Sequence, residues 1–397
     1  MTEFRIARDS DYEALIRFSN QVFAPEEQTN NERNDVSPDS YFPRILPKLY
    51  QNRATAPCHH LAVENGGIVG CVGLFPLPMN VAGTALHVYG IGTVGVSEKH
   101  RGEGLMIRLM DDAIRTAKDA GADFLLLSGL RQRYGHFGFE LAGQNPVFTF
   151  TSTNARQLYG RDAAFGYEFV RIPDGDRTAA AWVHRERMQS PCRVEIGEEE
   201  EIRQMRSMAA TPFAVLKDGK LCGTFLYRET MWRAMCDFAP ADPGEAGHIL
   251  SDFLRFDRKG ENEITIERTP PYRQALLSEL SRIAEDCDIR HMENIRIFRY
   301  ARVLGAYLSL KASYSPLCDG ELTVLFDSGE NLLLRVANGV PSVTPTEQTP
   351  DLELTGPEAV NLMFGHMTAL SAFSYALSAP VRSWFPLPYH LRAADMV

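Results

Sequence analysis

The sequence predicts an α/β fold in which short strands and amphipathic helices follow one another. Residues 61–73 are typical of a β-hairpin, because two aliphatic runs flank an Asn65-Gly66 turn. A β-branched run that ends at Val96 is followed by a helical pattern over about 104–120, and then by the short buried strand "ADFLLLSG". With 397 residues, the chain is long enough for two to four domains.

The remaining elements of the first part follow in order. The strand "EFRIA" opens the chain, and Ser10 is the predicted N-cap of the amphipathic helix "DYEALIRFSNQVF". A polar loop and a second helical run towards Tyr50 come next. Gly121 can cap the helix that ends near Ala120.

A second hairpin pattern suggests an internal repeat. "FAVLKDGKLCGTF" (213–225) has the layout of "LAVENGGIVGCVG" (61–73): Ala-Val, a turn with Gly, then an aliphatic strand with a glycine. Hairpins share turn chemistry, so one such match can also arise by chance. The repeat nevertheless suggests that residues 151–292 are a degenerate copy of the first domain, 1–150. The copy has no counterpart of "RGEG" (101–104), so no cofactor is expected there.

The third part, 293–397, contains the predicted strands "ELTVLF" and "NLLLRVANG". Thr355 and Glu358 have the spacing of a capping box, with Pro357 near the start of the helix. A tail rich in proline then runs to the terminal Val397.

Composition excludes several classes of protein. No apolar run approaches the roughly 18 residues that span a bilayer, and the N-terminus lacks the apolar core of a signal peptide, so a cytoplasmic location is expected. Seven scattered cysteines without a CxxC pair predict reduced, mostly buried thiols. His59 and His60 precede a strand without a metal-binding pattern, and no metal site is expected.

The net charge of −10 argues against a nucleic-acid binder, which would usually carry a basic excess. It is compatible with cationic partners, since an acidic surface raises their local concentration. The acidic run "EIGEEEEI" (195–202) is interpreted as a solvated first turn of a helix, where acids complement the helix dipole.

The glycines of "VGVSEKHRGEGLMIRLM" (94–110) allow two interpretations. "GIGTVG" (90–95) matches a dinucleotide fingerprint, but a helix starting there would contain Gly102 and Gly104, each costing about 1 kcal/mol. The favoured alternative is a strand that ends at Val96 and a helix entered through "RGEG", whose first N–H groups can hold an anion. Without a ligand, the same residues would make a tight strand-to-helix turn. His100, Arg101 and Arg108 add positive charge nearby.

The order of these elements resembles the GNAT acyltransferase superfamily. Its phosphate-binding signature, Arg/Gln-x-x-Gly-x-Gly/Ala, is matched by Arg101–Met106, "RGEGLM", except that Met106 replaces the small last residue. Its second signature is matched by Tyr134–Phe139, "YGHFGF", about 30 residues on. The layout of the whole chain resembles the enhanced intracellular survival (Eis) family. That resemblance implies a catalytic GNAT domain (1–150), a degenerate GNAT-like domain (151–292) and a domain similar to sterol carrier proteins (293–397).

The resemblance also implies the site and its chemistry. Acetyl-CoA would be the co-substrate, and its pantetheine would pair with the splayed strand at Val94, Gly95 and Val96. Its pyrophosphate would lie on the loop and helix start formed by Arg101, Gly102, Glu103, Gly104, Leu105, Met106 and Ile107. Tyr134 would act as general acid and the carboxylate of Val397 as general base, although family members usually end in an aromatic residue.

An amine with a pKa near 10 is mostly protonated at pH 7, so a base must remove a proton before the amine can attack a thioester. The family's acceptors are multi-amine aminoglycosides and lysine side chains, and the loop that would meet them carries acids: Glu26, Glu27, Glu32, Asp35 and Asp39. A polar surface loop has the same composition. Two alternatives stay open, a lipid or small-molecule binding protein with a vestigial transferase and a transferase of longer acyl chains. The resemblance further implies a homohexamer.

Overall fold

The computed structural model describes residues 1–24, 33–229, 233–257, 263–365 and 377–397. Its strands are, in chain order, β1 (Glu3–Ile6), β2 (His59–Glu64), β3 (Gly67–Pro76), β4 (Met79–Val81), β5 (Thr84–Leu86), β6 (Val88–Val96), β7 (Phe124–Leu127), β8 (Glu140–Ala142), β9 (Asn145–Thr151), β10 (Tyr167–Arg171), β11 (Cys192–Val194), β12 (Thr211–Lys217), β13 (Lys220–Arg228), β14 (Ala234–Pro240), β15 (Glu263–Glu267), β16 (Asp286–Arg290), β17 (Glu293–Ile297), β18 (Gly320–Phe326), β19 (Asn331–Ala337), β20 (Val340–Pro345) and β21 (Leu352–Leu354).

Its α-helices are α1 (Tyr12–Phe23), α2 (Tyr41–Ile45), α3 (Pro47–Tyr50), α4 (Leu105–Asp119), α5 (Arg131–Tyr134), α6 (Ser152–Tyr159), α7 (Arg177–Gln189), α8 (Glu201–Met205), α9 (Ala246–Phe256), α10 (Gln274–Ile283), α11 (Tyr300–Ala312), α12 (Gly356–Phe364) and α13 (Ala379–Arg382). The chain forms two compact units. The first unit contains residues 1–142, 293–387 and 397, and the second contains residues 143–292 and 388–396.

The first unit is built on a seven-stranded mixed sheet with the order β1-β2-β3-β6-β7-β17-β8. The pair β6–β7 is parallel, and the other neighbouring strands run antiparallel. Helix α4 packs on one face, where Leu109, Met110 and Ala113 join a core with strand residues such as Leu125. The predicted α/β fold with mixed sheets is confirmed.

The second unit has a seven-stranded sheet with the order β10-β12-β13-β14-β15-β9-β16. The hairpin β12–β13 holds the second and third places, as β2–β3 does in the first sheet, and β14–β15 is the parallel pair. The tandem arrangement predicted from the repeated hairpin is thus visible in the strand order. The sixth strand of each sheet, β17 or β9, comes from a separate stretch of the chain. The boundaries at residues 150 and 292 stay a prediction.

The first unit also contains the four-stranded sheet β20-β19-β18-β21. Two of its strands, β18 and β19, match the predicted "ELTVLF" and "NLLLRVANG". The predicted capping box is confirmed, because the Glu358 carboxylate accepts the Thr355 N–H at 2.9 Å at the start of α12. Similarity of this part to sterol carrier proteins stays a prediction.

Several local predictions need correction. Ser10 is not an N-cap, because a 3-10 turn over residues 9–11 precedes α1 and Asp11 is the residue before the helix. Glu201, in the run predicted to be solvated, is fully buried, since its carboxylate pairs with Arg187 at 2.8 Å. The run towards Tyr50 is two short helices, α2 and α3, with Pro47 at the first position of the second.

The cysteines are all free, as predicted, but not mostly buried. Cys71, Cys192 and Cys236 are buried, whereas Cys287 and Cys318 are exposed. Within the described ranges, no helix is long and apolar enough to cross a membrane. The same ranges contain no group of three or more His, Cys, Asp or Glu that could hold a metal ion.

Candidate active site

Strand β6 parts from its parallel neighbour half-way along its length. The two strands pair from Val88–Phe124 to Ile91–Leu127, and none of the described strands pairs with that side of β6 beyond Ile91. Residues 92–96 therefore offer backbone N–H and C=O groups to whatever lies beside them. The open part of β6 includes Val94 to Val96, where the resemblance implies a splayed strand.

A bulge lies at the point of divergence. The register between β3 and β6 shifts between Cys71 and Gly73, and Thr93 has a φ of +52°, in the left-handed region. The Thr93 hydroxyl is hydrogen-bonded to the Tyr50 hydroxyl at 2.8 Å. A side chain from α3 thus holds the residue with the least favourable backbone conformation of this strand.

The Tyr50 hydroxyl is the centre of a buried polar chain. It lies 3.1 Å from His59 Nε2, and the Ser19 hydroxyl donates to it at 3.4 Å. His59 Nδ1 lies 3.1 Å from the Thr55 carbonyl oxygen, which places the ring proton on Nδ1 and leaves Nε2 as acceptor. Burial lowers the pKa of His59 to about 4, so the ring is neutral at pH 7.

The loop after β6 leads into α4 through two glycines in the left-handed conformation. Gly102 has a φ of +86° and Gly104 a φ of +76°, where a residue with a Cβ is strained. No atom lies within 4 Å of a Cβ built on either glycine, so both face open space. The expected helix start is confirmed, and "GIGTVG" lies inside β6, which excludes the dinucleotide interpretation.

The start of α4 has unused hydrogen-bond donors. Gly104 is the N-cap, and no side chain caps the helix. The first bond of the helix runs from the Arg108 N–H to the Gly104 carbonyl at 3.1 Å. The N–H groups of Leu105, Met106 and Ile107 therefore have no partner within the helix, and the helix dipole adds to their attraction for an anion.

The open strand and the helix start share one cleft of about 710 Å³. It is lined by Val22, Phe23, Val94, Gly95, Val96, His100, Arg101, Gly102, Gly104, Leu105, Met106, Ile107 and Arg133. Nine of the ten residues predicted to hold the co-substrate are in this set, and Glu103 is not. Sequence reasoning missed Val22, Phe23 and Arg133.

The two missed apolar residues belong to the end of α1. A Cβ built on Gly95 would lie 3.1 Å from Phe23 and 3.2 Å from Val22. Gly95 thus lets α1 approach the strand closely, which is the signal that could have placed this helix at the cleft.

The positive charges predicted beside the loop are arranged unequally. His100 lines the cleft and is held between Ser97 Oγ at 2.7 Å and Glu64 Oε2 at 3.1 Å. Arg108 does not line the cleft, and its guanidinium pairs with Asp112 at 3.1 Å along the helix. Arg101 and Arg133 are therefore the two guanidinium groups at the cleft wall.

Tyr134 ends the short helix α5 and is buried among aromatic neighbours, including Phe137 and Phe139. A Cβ on Gly129 would lie 2.5 Å from the Tyr134 ring, so the close approach depends on that glycine. Burial raises the pKa of the Tyr134 phenol, and the Arg133 guanidinium lowers it in part. Tyr134 itself does not line the cleft, whereas the adjacent Arg133 does.

The last residue of the chain lies on β6. The carboxyl carbon of Val397 is 3.1 Å from the position of a Cβ on Gly92, and a Cβ on Gly90 would overlap Val397 Cγ2. The chain end is thus one residue from the bulge at Thr93 along the strand. Gly90 and Gly92 are the first two glycines of "GIGTVG", and sequence reasoning did not connect them with Val397.

The acidic loop is only partly described. Glu26, Glu27 and Glu32 lie outside the described residues. The Asp35 carboxylate accepts hydrogen bonds from the Ser37 N–H at 2.9 Å and the Ser37 hydroxyl at 2.7 Å, and Asp39 is exposed.

Comparison with known proteins addresses the first part of the chain most directly. Residues 3–142 match the family model of the acetyltransferase (GNAT) domain. Among curated proteins, the uncharacterized N-acetyltransferase YhbS of Escherichia coli K12 is 30% identical over 84 residues, which is 21% of this chain and 49% of the relative. The chain thus spans about half the length of the curated relatives it matches.

Solved structures match nearly the whole chain. A GCN5-related N-acetyltransferase from Kribbella flavida has a TM-score of 0.66 at 15% identity, covering 99% of this chain and 97% of that one. Eis1 from Mycobacterium abscessus has a TM-score of 0.62 at 13% identity, covering 99% and 98%. At these identities the likeness shows the fold, and it extends beyond the GNAT domain to the tandem arrangement.

Proposed function

We propose that this chain is an acetyl-CoA-dependent N-acetyltransferase of the enhanced intracellular survival type. Its acceptor is a primary amine of a polycationic molecule, such as an aminoglycoside, or of a lysine side chain. The observation that carries the proposal is the cleft in which the open edge of β6 meets the uncapped start of α4, within a matched GNAT domain.

The residues of the cleft fit the donor. The N–H groups at the start of α4, with Arg101 and His100 beside them, hold the pyrophosphate. The open edge of β6 at Val94–Val96 holds the pantetheine amides by backbone hydrogen bonds. When bound, acetyl-CoA supplies the acetyl thioester that the amine attacks. Met106 stands where the family has a small residue, and it lines the cleft.

Tyr134 holds the proton that the leaving sulfur needs. Its raised pKa keeps the phenol protonated throughout the neutral range, so it can act as general acid. Its burial beside Phe137 and Phe139 holds the ring in place, and the adjacent Arg133 lines the cleft.

The Val397 carboxylate accepts the proton of the amine. Its position on Gly92, next to the bulge, supports this role. A free α-carboxylate is a weak base with a pKa of about 3.5, so a water relay or a favourable site must assist it. The net charge of −10 favours approach of a cationic acceptor.

The direct test is thiol release from acetyl-CoA in the presence of aminoglycosides, polyamines and a lysine peptide. Tyr134→Phe and a chain lacking Val397 are measured beside the wild type, with CoA affinity as the control for an intact cleft. We expect turnover on a multi-amine that falls at least about a hundredfold in both variants, while CoA affinity stays unchanged.

Two results would contradict the proposal. CoA binding without turnover on any amine would overturn the acceptor class. Failure to bind CoA would overturn the assignment of "RGEGL" and bring forward a lipid or small-molecule binding protein. Sedimentation of the same sample tests the homohexamer that the resemblance implies.

A further inference from the structure

Strand β6 carries three glycines among nine residues, at positions 90, 92 and 95. Glycine weakens a strand interior and usually marks a close approach of other atoms. The approach at Gly95 is made by α1, through Phe23 and Val22. The approach at Gly90 and Gly92 is made by the C-terminal residue.

Gly90 and Gly92 lie two residues apart and therefore present the same face of the strand. A Cβ on Gly90 would overlap Val397 Cγ2, and Leu77 Cδ1 would lie 3.0 Å away. A Cβ on Gly92 would lie 3.1 Å from the Val397 carboxyl carbon and 3.4 Å from the Phe75 ring. Phe75 and Leu77 thus flank a depression whose floor is the bare backbone of these two glycines.

We propose that Gly90 and Gly92 are positioning residues that seat the C-terminal residue on β6. The side chain of Val397 fills the space over Gly90, and its carboxylate lies over Gly92. The absence of two Cβ atoms thereby leaves room for Val397 next to the bulge. The seat itself is independent of the reaction, whereas its importance for turnover rests on the proposed role of Val397 as base.

The steric fit of Val397 over Gly90 can be tested with one disruptive substitution and a second one that should compensate for it. Gly90→Ala introduces a Cβ where Val397 Cγ2 lies, so the Val397 side chain must shift. We expect this shift to displace the terminal residue from its seat. Val397→Ala removes Cγ2 and retains a carboxylate and a Cβ, which lies at an ordinary 3.4 Å from the new Cβ. The double variant Gly90→Ala/Val397→Ala should therefore seat its terminus again.

A carboxypeptidase measures seating without reference to catalysis. Release of the last residue is followed by mass spectrometry on the full-length native chain. The protease digests the unseated population, so we expect Gly90→Ala to lose Val397 about tenfold faster than wild type or more. Gly92→Ala should act in the same direction through the carboxyl group. Gly67→Ala in β3 is the matched control, because its Cβ meets only the Glu64 carbonyl oxygen at 3.6 Å.

Amine turnover is measured on the same samples, with CoA affinity and melting temperature as checks of the fold. We expect kcat of Gly90→Ala to fall about tenfold or more with CoA affinity retained, and kcat of the double variant to return to that of Val397→Ala alone. Trimming of Gly90→Ala at the rate of wild type and Gly67→Ala would overturn the seat. A double variant as slow as Gly90→Ala would overturn the proposed overlap. Faster trimming with unchanged turnover would support the seat and contradict Val397 as the base.

Discussion

The two seven-stranded sheets share a strand order but differ at the fourth strand, beside the parallel pair. Both have a parallel pair at the fourth and fifth positions, β6–β7 and β14–β15. Both also have a bulge on the fourth strand with a residue in the left-handed region, Thr93 at φ +52° and Asp237 at φ +52°. Both sheets thus have the bulge and the left-handed residue that accompany a splayed fourth strand.

The side chains at the two bulges lead to different outcomes. In the second unit, the Asp237 carboxylate accepts hydrogen bonds from the N–H groups of Ala393 and Ala394 at 2.8 and 3.0 Å. A segment of the chain itself is therefore bound at this bulge. The same segment is fixed by a buried ion pair between Asp395 and Arg187 at 2.8 Å. In the first unit, Thr93 binds Tyr50 and leaves the neighbouring strand edge open.

The helices after the two bulges differ as well. Helix α4 starts from Gly104 in the left-handed conformation and has uncapped N–H groups. Helix α9 starts from Glu245 in a helical conformation, and the Glu245 carboxylate is bonded to Tyr167 at 2.5 Å and His248 at 3.0 Å. A carboxylate at the start of α9 would repel the negative charge of a phosphate group. The shared topology thus supplies a strand edge in both sheets, and a few residues decide whether that edge can take a ligand.

The largest expected effect comes from Tyr134→Phe. Loss of a general acid should lower kcat about a hundredfold to ten-thousandfold, with CoA affinity unchanged. Tyr272→Phe in the second unit is the matched control, since that buried hydroxyl is bonded to Ser190 Oγ at 2.7 Å and the Cys192 carbonyl at 3.1 Å and meets no substrate in this account. Equal losses in the two variants would contradict a site confined to the first unit.

The neutral buried His59 should make the first unit sensitive to acid. Its pKa is lowered from 6.5 to about 4 by burial, so its contribution to stability is complete above pH 6.5 and is lost as the pH falls towards 4. That shift corresponds to about 3 kcal/mol. Urea unfolding of wild type and His59→Gln should therefore converge by about this amount between pH 7 and 4. Burial also lowers the pKa of His390 in the second unit. His390 is present in both proteins, so its effect on the difference in unfolding free energy cancels. A constant difference across this range would contradict the neutral ring.

Gly104→Ala should weaken CoA binding about fivefold to thirtyfold. A Cβ in the left-handed conformation costs about 1–2 kcal/mol and shifts the start of α4. Gly219→Ala in the β12–β13 turn has the same kind of strain, at a φ of +70°, without a ligand to hold. Calorimetric titration should show reduced affinity only for Gly104→Ala, and equal affinities would argue against the anion site.

The smallest effect is expected at the hydroxyl pair that holds the bulge. Tyr50→Phe and Thr93→Val each remove the 2.8 Å hydrogen bond, worth about 1 kcal/mol, so each should lower kcat about fivefold. The double variant should be no slower than Tyr50→Phe alone, because Tyr50→Phe already removes the bond to Thr93 together with the contacts to His59 and Ser19. Additive losses would show that Tyr50 acts otherwise than through Thr93. Tyr300→Phe tests for a general effect of losing a buried hydroxyl.

Much of the fold followed from local signals. The Asn65-Gly66 hairpin, the strand that ends at Val96 and the helix entered through "RGEG" were all predicted, because turn chemistry and periodicity act over a few residues. The repeated hairpin suggested the tandem arrangement, and the family resemblance implied it.

The contacts that sequence reasoning missed join distant residues. Phe23 and Arg133 line the cleft, although one precedes α4 in the sequence and the other follows it. Val397 lies against Gly90, which is far from it in the sequence. The glycines of β6 carried the signal, but "GIGTVG" alone does not tell whether a ligand, a helix or a chain end occupies the space. The burial of Glu201 was missed because its partner, Arg187, belongs to another helix.

Calorimetric titration of the intact chain with CoA tests the central claim most directly, since that claim assigns a donor site to one of two similar sheets. We expect one CoA per chain, with binding weakened by Gly104→Ala and unaffected by Gly219→Ala. Two equivalents per chain, or binding indifferent to Gly104→Ala, would contradict it.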